Sequence, residues 1–258
     1  MKHIVCIGGG TGMPRVLEAL KSHDVHLSAI VTMADDGGSS GILRDEYGGL
    51  PPGDVRRVLV ALSHSDQSLK DIFLYRFTEG SLSGHSVGNI ILKALELRDG
   101  SFEQAIEQAK KILHVRGDVI PVTLDFVRLC AEFSDGTKAN GERHVSSPEN
   151  INKAVERIWL EPAANASTHA MNAIAGADII VIGPGGFFYS IIPNFLVAGI
   201  SDAVRNSSAK KIYIENLKSQ IPDFDYIAEI KKYVTIDVVL PSSVQADATT
   251  LANGILTL

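Results

Sequence analysis

The sequence predicts an α/β fold: a mostly parallel sheet with helices on both faces and a small β-rich insertion. Three observations predict it. Short β-rich runs alternate with helical patterns at both ends of the chain, the rhythm of strand–helix–strand units with parallel strands and right-handed crossovers. The strand read from Ala177 to Ile182 is apolar without alternation from Ile179 onward, as a strand covered on both faces must be. Between these two regions, residues 118–161 read as successive strands around a tight-turn signal, Ser134-Asp135-Gly136-Thr137.

The first unit reads strand, glycine loop, helix. His3 to Ile7 is β-rich, Gly8-Gly9-Gly10-Thr11-Gly12 breaks it, and a helix runs from Pro14 to Leu20 with its proline in the first turn, where the missing N–H is harmless. His26 to Thr32 is the second strand. The Gly- and Ser-rich segment that follows reads as a loop. Asp54 is a candidate N-cap for a helix over Val55 to Leu62. Ser68 to Phe77 and Ser86 to Leu97 carry helical spacing, and Ser101 with Gln104 forms a capping box for a helix to about Leu113. Within the insertion, strands are expected over Val119 to Thr123, Phe126 to Phe133, Thr137 to Val145 and Ile151 to Glu161. A helix over Ser167 to Ile174 leads to the apolar strand and a Gly183–Tyr189 loop. One helix over Asn194 to Arg205, a strand over Lys211 to Glu215, a helix over Asp223 to Lys232, a strand over Ile236 to Leu240 and a helix over Ala246 to Ile255 complete a single 258-residue unit.

Composition narrows the function. The chain is 45% hydrophobic and 21% charged, ordinary for a soluble globular protein. A net charge of -6 lacks the Lys/Arg excess that non-specific nucleic-acid binding requires, so no nucleic-acid partner is expected. No apolar run reaches the length of a bilayer span, and the N-terminal apolar run is too short for a signal sequence. Cys6 and Cys130 lie far apart in apolar runs and read as buried thiols of a reducing compartment. A cytoplasmic protein is expected, of a size at which α/β chains commonly form homodimers.

The chemistry is concentrated in loops. Ala34-Asp35-Asp36-Gly37-Gly38-Ser39-Ser40-Gly41 puts two acids beside glycines and hydroxyls, more than a turn needs. Pro51-Pro52-Gly53-Asp54-Val55-Arg56-Arg57 adds a third acid and two arginines. Carboxylates hold hard cations such as Mg²⁺, amides and hydroxyls hold phosphate oxygens, and arginine grips phosphate at two points. Asp36, with Asp54, is therefore the metal candidate. Ser39, Ser40, Arg44 and Arg56 are phosphate candidates. Adjacent arginines on a helix diverge by about 100°, so Arg56 and Arg57 are expected to do different jobs. Gly9, Gly10, Thr11 and Gly12 let a ligand approach the end of the first strand and face a helix N-terminus. The segment lacks the third glycine of the dinucleotide fingerprint, replaced by Met13, and the Gly-Lys-Ser/Thr ending of a P-loop. His85 and Asn89 sit in Gly84-His85-Ser86-Val87-Gly88-Asn89 at a helix start. Gly183, Gly185, Gly186 and Ser190 follow the most apolar strand, with Phe187 or Tyr189 as a stacking surface. Together these point to a phosphorylated small molecule, a nucleotide derivative.

With these segments assembled, the chain resembles the CofD-like proteins, and more closely their bacterial branch, the YvcK-type gluconeogenesis factors. The resemblance rests on the five glycine-containing segments just quoted, in family order over about residues 3–216, the last continuing into Ser190-Ile191-Ile192-Pro193-Asn194. It implies a Rossmann-like fold with a nucleotide-derivative site between the glycine loops. The CofD branch comprises Mg²⁺-dependent 2-phospho-L-lactate transferases that use a nucleotide-activated donor and a deazaflavin acceptor. The gluconeogenesis-factor branch is associated with binding nucleotide sugars such as UDP-N-acetylglucosamine and with cell-wall and cell-shape control. Two departures stand out. Gly186, Phe187, Phe188 and Tyr189 occupy the middle of a loop that usually reads Gly-Pro-Gly-Ser-Leu-Tyr-Thr-Ser, and Lys218-Ser219-Gln220-Ile221-Pro222 replaces the usual stretch after Asn216.

Overall fold

The computed structural model describes residues 1–217 and 221–258. The chain runs β1 (Lys2–Gly8), α1 (Met13–Leu20), β2 (Val25–Val31), α2 (Gly38–Tyr47), α3 (Gly53–Leu62), α4 (Gln67–Leu74), α5 (Val87–Asp99), α6 (Phe102–Ile112) and β3 (Asp118–Pro121). The middle comprises β4 (Arg128–Phe133), β5 (Lys138–Asn140), α7 (Glu142–Val145) and β6 (Val155–Glu161). The remainder is α8 (Thr168–Ala175), β7 (Ile179–Ile182), α9 (Ile192–Phe195), α10 (Ile200–Asn206), β8 (Lys210–Ile214), α11 (Tyr226–Ile230), β9 (Val238–Leu240) and α12 (Ala248–Leu256).

Six strands form one parallel sheet in the order β3-β2-β1-β7-β8-β9. Counting only these strands the order is 3-2-1-4-5-6, the Rossmann arrangement, whose direction of growth reverses between β1 and β7. All four residues of β7 are buried, as its unbroken apolar run requires. Ile4 is in register with Ile179 and Ile7 with Ile182, so the two strands end level and their glycine loops emerge side by side. That reversal is where an open α/β sheet offers a crevice at its carboxyl edge.

The helices pack as their sequences demand. Met13, Val16, Leu17, Ala19 and Leu20 of α1 are buried. Ser101 caps α6 by accepting from the Gln104 N–H at 3.4 Å, and Ser167 caps α8 by accepting from Ala170 at 3.1 Å. No helix among the described residues is long and apolar enough to cross a membrane.

Several expectations are corrected. The strand at Asp118–Pro121 pairs with β2 and forms the edge of the large sheet, so the small antiparallel sheet, β5-β4-β6, begins only at Arg128. The expected strand from Thr137 to Val145 stops at Asn140, because Gly141 turns with φ +100° into α7. The Gly/Ser segment read as a loop contains α2: tertiary packing of Leu43 and Arg44 overrides poor intrinsic propensity. Phe187–Ile191 forms one wide helical turn, and the expected helix from Asn194 is two short ones separated at Leu196–Gly199. Asp54 does not cap α3; Pro52 holds the cap position and Asp54 lies in the first turn. Of the divergent stretch after Asn216, residues 218–220 lie outside the described residues.

Candidate functional site

The glycine loops meet at the carboxyl edge of the sheet because their bare backbones are packed against one another. A Cβ on Gly9 would lie 2.8 Å from Ser190 Cβ, and one on Gly10 would lie 2.6 Å from the Asp54 Cα. One on Gly12 would collide with the Pro184 carbonyl. Gly9 and Gly10 thus serve as close-packed floor that seats Asp54 and Ser190, while Thr11 and Gly12 reach the surface. Gly183 adopts φ +75° and donates its N–H to the Ile7 carbonyl at 3.0 Å, tying the two loops together beneath the cleft.

Two adjoining chambers open there. The first, about 400 Å³, is lined by the acids Asp35, Asp54 and Glu142 and by the basic Arg56, Arg57 and Arg76. Ser39, Ser40, Asn89, Thr11, Tyr189 and Ser190 complete it. The second, about 540 Å³, shares Thr11 and Tyr189 and extends over Gly12, Gly185 and Gly186 toward Asn216, Leu217 and Gln245. Phe187 is not a stacking surface. It is buried beside Phe188 and packs against the partly buried Phe224 and Tyr226, ring centroids 4.9–6.2 Å apart, and this cluster anchors the loop. Tyr189 is the aromatic residue that reaches the cleft, its ring laid over Gly186, where a Cβ would collide with it.

Several of the charged groups are buried at close quarters. The Arg56 side chain is buried, donates to Ser86 Oγ, and leaves its Nε without a partner. Burial, then the Arg57 and Arg76 charges, lower its pKa to about 10, so it stays charged. Asn89 is equally buried, with Oδ1 unpartnered. An orphaned buried polar atom is costly unless something completes it, and both residues line the first chamber. Arg57 diverges as expected: half-exposed, it donates to Thr11 Oγ1 at 2.9 Å and lies 3.8 Å from Asp54 Oδ1. Asp54 has its pKa raised by burial and by Asp35, against the lowering effect of the Gly10 N–H and the two arginines. Glu142, brought in by α7 from the small sheet, is pushed up to about 8 by burial and by Asp35, Asp54 and Asp36.

Other expected site residues take different places. Asp36 does not line either chamber. It accepts the Arg143 N–H at 2.8 Å and lies 3.8 Å from Arg44 Nη2 and 3.6 Å from Arg128 Nη1. Arg44 is buried behind α2 with its guanidinium 4.9 Å from the Phe126 ring, away from both chambers. His85 touches the first chamber only through Ser39, whose Oγ lies 3.2 Å from His85 Nδ1, and it lines a separate surface hollow with Tyr47, Leu82 and Leu97. Among the described residues no three His, Cys, Asp or Glu side chains are arranged to share a metal ion. Sequence reasoning missed Arg76, Glu142 and Gln245: none belongs to a glycine segment, and each arrives from a different part of the chain.

The chain is similar to known proteins over most of its length. The CofD family profile, described as 2-phospho-L-lactate transferase CofD, matches residues 4–254. A Listeria monocytogenes protein named Gluconeogenesis factor is 44% identical over 229 residues, 88% of this chain and 70% of its own. A Thermotoga maritima protein named Putative gluconeogenesis factor is 42% identical over 246 residues, 92% of this chain and 77% of its own. The crystal structure of a UPF0052-family protein from Bacillus halodurans has a TM-score of 0.87 at 41% identity, covering 93% of this chain and 80% of that one.

Proposed function

Because the chain belongs to the CofD family, and within it to the gluconeogenesis factors, we propose that it is a regulatory protein that binds a nucleotide derivative of the nucleotide-sugar type in the cleft between β1 and β7. One observation carries the reading: Arg56 and Asn89 hold buried, unpartnered polar atoms at a cavity whose walls are a glycine loop, hydroxyls and two further arginines. A phosphate accepts from Arg56, Arg57, Arg76 and the Thr11 region, and ligand hydroxyls match the carboxylates and Asn89 Oδ1.

Mg²⁺ fits this site only as a companion of the ligand. Mg²⁺ is commonly held by one or two carboxylates plus substrate phosphates, and keeps several waters. Asp35 and Asp54 face the chamber and are the carboxylates to hold it; Asp36 is committed to Arg44, Arg128 and the Arg143 N–H. Bound there, the ion would neutralise phosphate charge. Calorimetry with UDP-N-acetylglucosamine, with and without Mg²⁺, tests the reading. Binding that weakens at least tenfold in Arg56→Met is expected, and no heat with any nucleotide sugar would end it.

A second reading, a phospholactate-type transferase, is favoured by the same juxtaposition of carboxylates and arginines, which suits stabilising charge on a leaving phosphate. Turnover of a guanylylated lactyl donor with a deazaflavin acceptor is its test. An unchanged donor after prolonged incubation with Mg²⁺ sinks it.

A further inference from the structure

The two chambers differ in chemistry, and the difference orients the ligand. The first holds three arginines, three carboxylates and the orphaned Arg56 Nε and Asn89 Oδ1. A flat aromatic ring placed there would strip water from all of these groups and return few hydrogen bonds, whereas a group carrying several hydroxyls returns many. Among the described residues the second has no carboxylate in its lining, and Arg15 is the one charged residue there. Its walls are Pro184, Leu217, one side of the Tyr189 ring and the bare backbone of Gly12, Gly185 and Gly186.

Two amides give this apolar chamber a defined polar edge. Gln245 is 5% exposed and its Nε2 donates to the Glu215 carbonyl at 2.7 Å, which leaves Oε1 as the remaining acceptor of the side chain. Asn216 Oδ1 accepts the Gly185 N–H at 2.8 Å, which leaves Nδ2 as its donor. Apolar walls with one acceptor and one donor suit a neutral heteroaromatic ring that bears a carbonyl or ring nitrogen beside an N–H. Between the chambers lie Thr11, Tyr189 and the N-terminus of α1, with Arg57 bonded to Thr11 Oγ1 at 2.9 Å. That is the place for a diphosphate bridging two unlike ends.

We propose that the ligand lies across the Thr11–Tyr189 partition with a neutral nucleobase in the Pro184–Leu217–Gln245 chamber, its diphosphate at Thr11 and Arg57, and its hydroxyl-bearing end among Asp35, Asp54, Asn89 and Glu142. The inference rests on the nucleotide-derivative reading and adds to it which residues read which end. Gln245 and Asn216 determine base preference, and Asn89 with the carboxylates determines the identity of the group beyond the phosphates.

The test separates the two ends by using half-ligands on the full chain. Calorimetry is run with uridine 5′-monophosphate, guanosine 5′-monophosphate, N-acetylglucosamine 1-phosphate and UDP-N-acetylglucosamine. Gln245→Leu is expected to weaken the nucleoside monophosphates and the intact nucleotide sugar by about tenfold, the loss of one buried hydrogen bond, and to leave the sugar phosphate within about twofold. Leu217→Asp changes an exposed side chain, so it keeps the test standing if Gln245→Leu folds poorly, and it should show the same pattern. Asn89→Ala should weaken the sugar phosphate and the intact ligand and spare the nucleoside monophosphates. Binding of the intact ligand with the reverse pattern, or with both half-ligands weakened alike, overturns the orientation and leaves the nucleotide-sugar reading in place. Absence of binding by all four compounds to the unaltered protein overturns both.

Discussion

Asp36→Ala should destabilise the ligand-free protein, the opposite of what removing a metal-binding carboxylate does. The Arg44 guanidinium is fully buried and its Nε and Nη2 make no hydrogen bond. Its counter-charges are Asp36 at 3.8 Å, itself nearly buried, and Asp45 at 3.6 Å, which is 55% exposed and so contributes little. Removing one partner of a buried pair costs roughly 3–5 kcal/mol because a charge is left uncompensated. The long separations and the surviving Asp45 place this case at the lower end, about 3 kcal/mol. At roughly 2–4 °C per kcal/mol for a chain of this size, the melting temperature should fall by roughly 6–12 °C. The loss also frees the Arg143 N–H, so α7 and Glu142 lose their tie to the Asp36 loop. Thermal melting of ligand-free protein at neutral pH measures it, with Asp36→Asn as the partner variant that keeps an acceptor for Arg143 and discards the charge. A carboxylate held only for binding would instead relieve repulsion from Asp35 and Asp54 when removed. A variant that melts with or above the parent therefore refutes the clamp.

The remaining predictions concern titration, packing and thiol chemistry. The Glu142 carboxyl keeps its proton up to about 8 in the folded state, against 4.5 in the unfolded chain. Between those values the folded protein binds a proton that the unfolded chain has released, so stability falls as pH rises from 4.5 to 8. Glu142→Gln should flatten that slope and raise the urea midpoint at pH 8; a parallel pH profile would contradict it. Gly10→Ala would place a methyl 2.6 Å from the Asp54 Cα and should cost about 3 kcal/mol or more, as overpacking against backbone does. By contrast, Gly254→Ala in α12 meets its nearest neighbours at 3.6 Å or beyond and should stabilise by about 0.5–1 kcal/mol, read by urea unfolding. Burial raises the Cys6 thiol to about 12 and also raises that of Cys130, so an aromatic disulfide reagent should label neither until the chain is unfolded.

The alternation of strands and helices, the buried parallel strand Ile179–Ile182 and the loops at strand ends were legible in the sequence, because local periodicity and glycine punctuation report local structure directly. From those loops followed Thr11, Ser39, Ser40, Asp54, Arg56, Asn89 and Ser190 as neighbours, and all of them line the first chamber. Only the tertiary structure decided which of two adjacent acids faces the cleft. Asp35 and Asp36 are indistinguishable by composition, and the choice was made by Arg44, Arg128 and the Arg143 N–H, which draw Asp36 away. It likewise decided that Arg44 is buried behind α2 and that Glu142 and Arg76 enter the chamber, since their positions depend on how the small sheet and the α4–α5 connection dock. Backbone preference acts over a few residues and can be read in order along the chain. Side-chain direction at a junction is settled by charge and packing partners that include groups scores of residues away, here Arg128 and Arg143, and those come together only once the chain has folded.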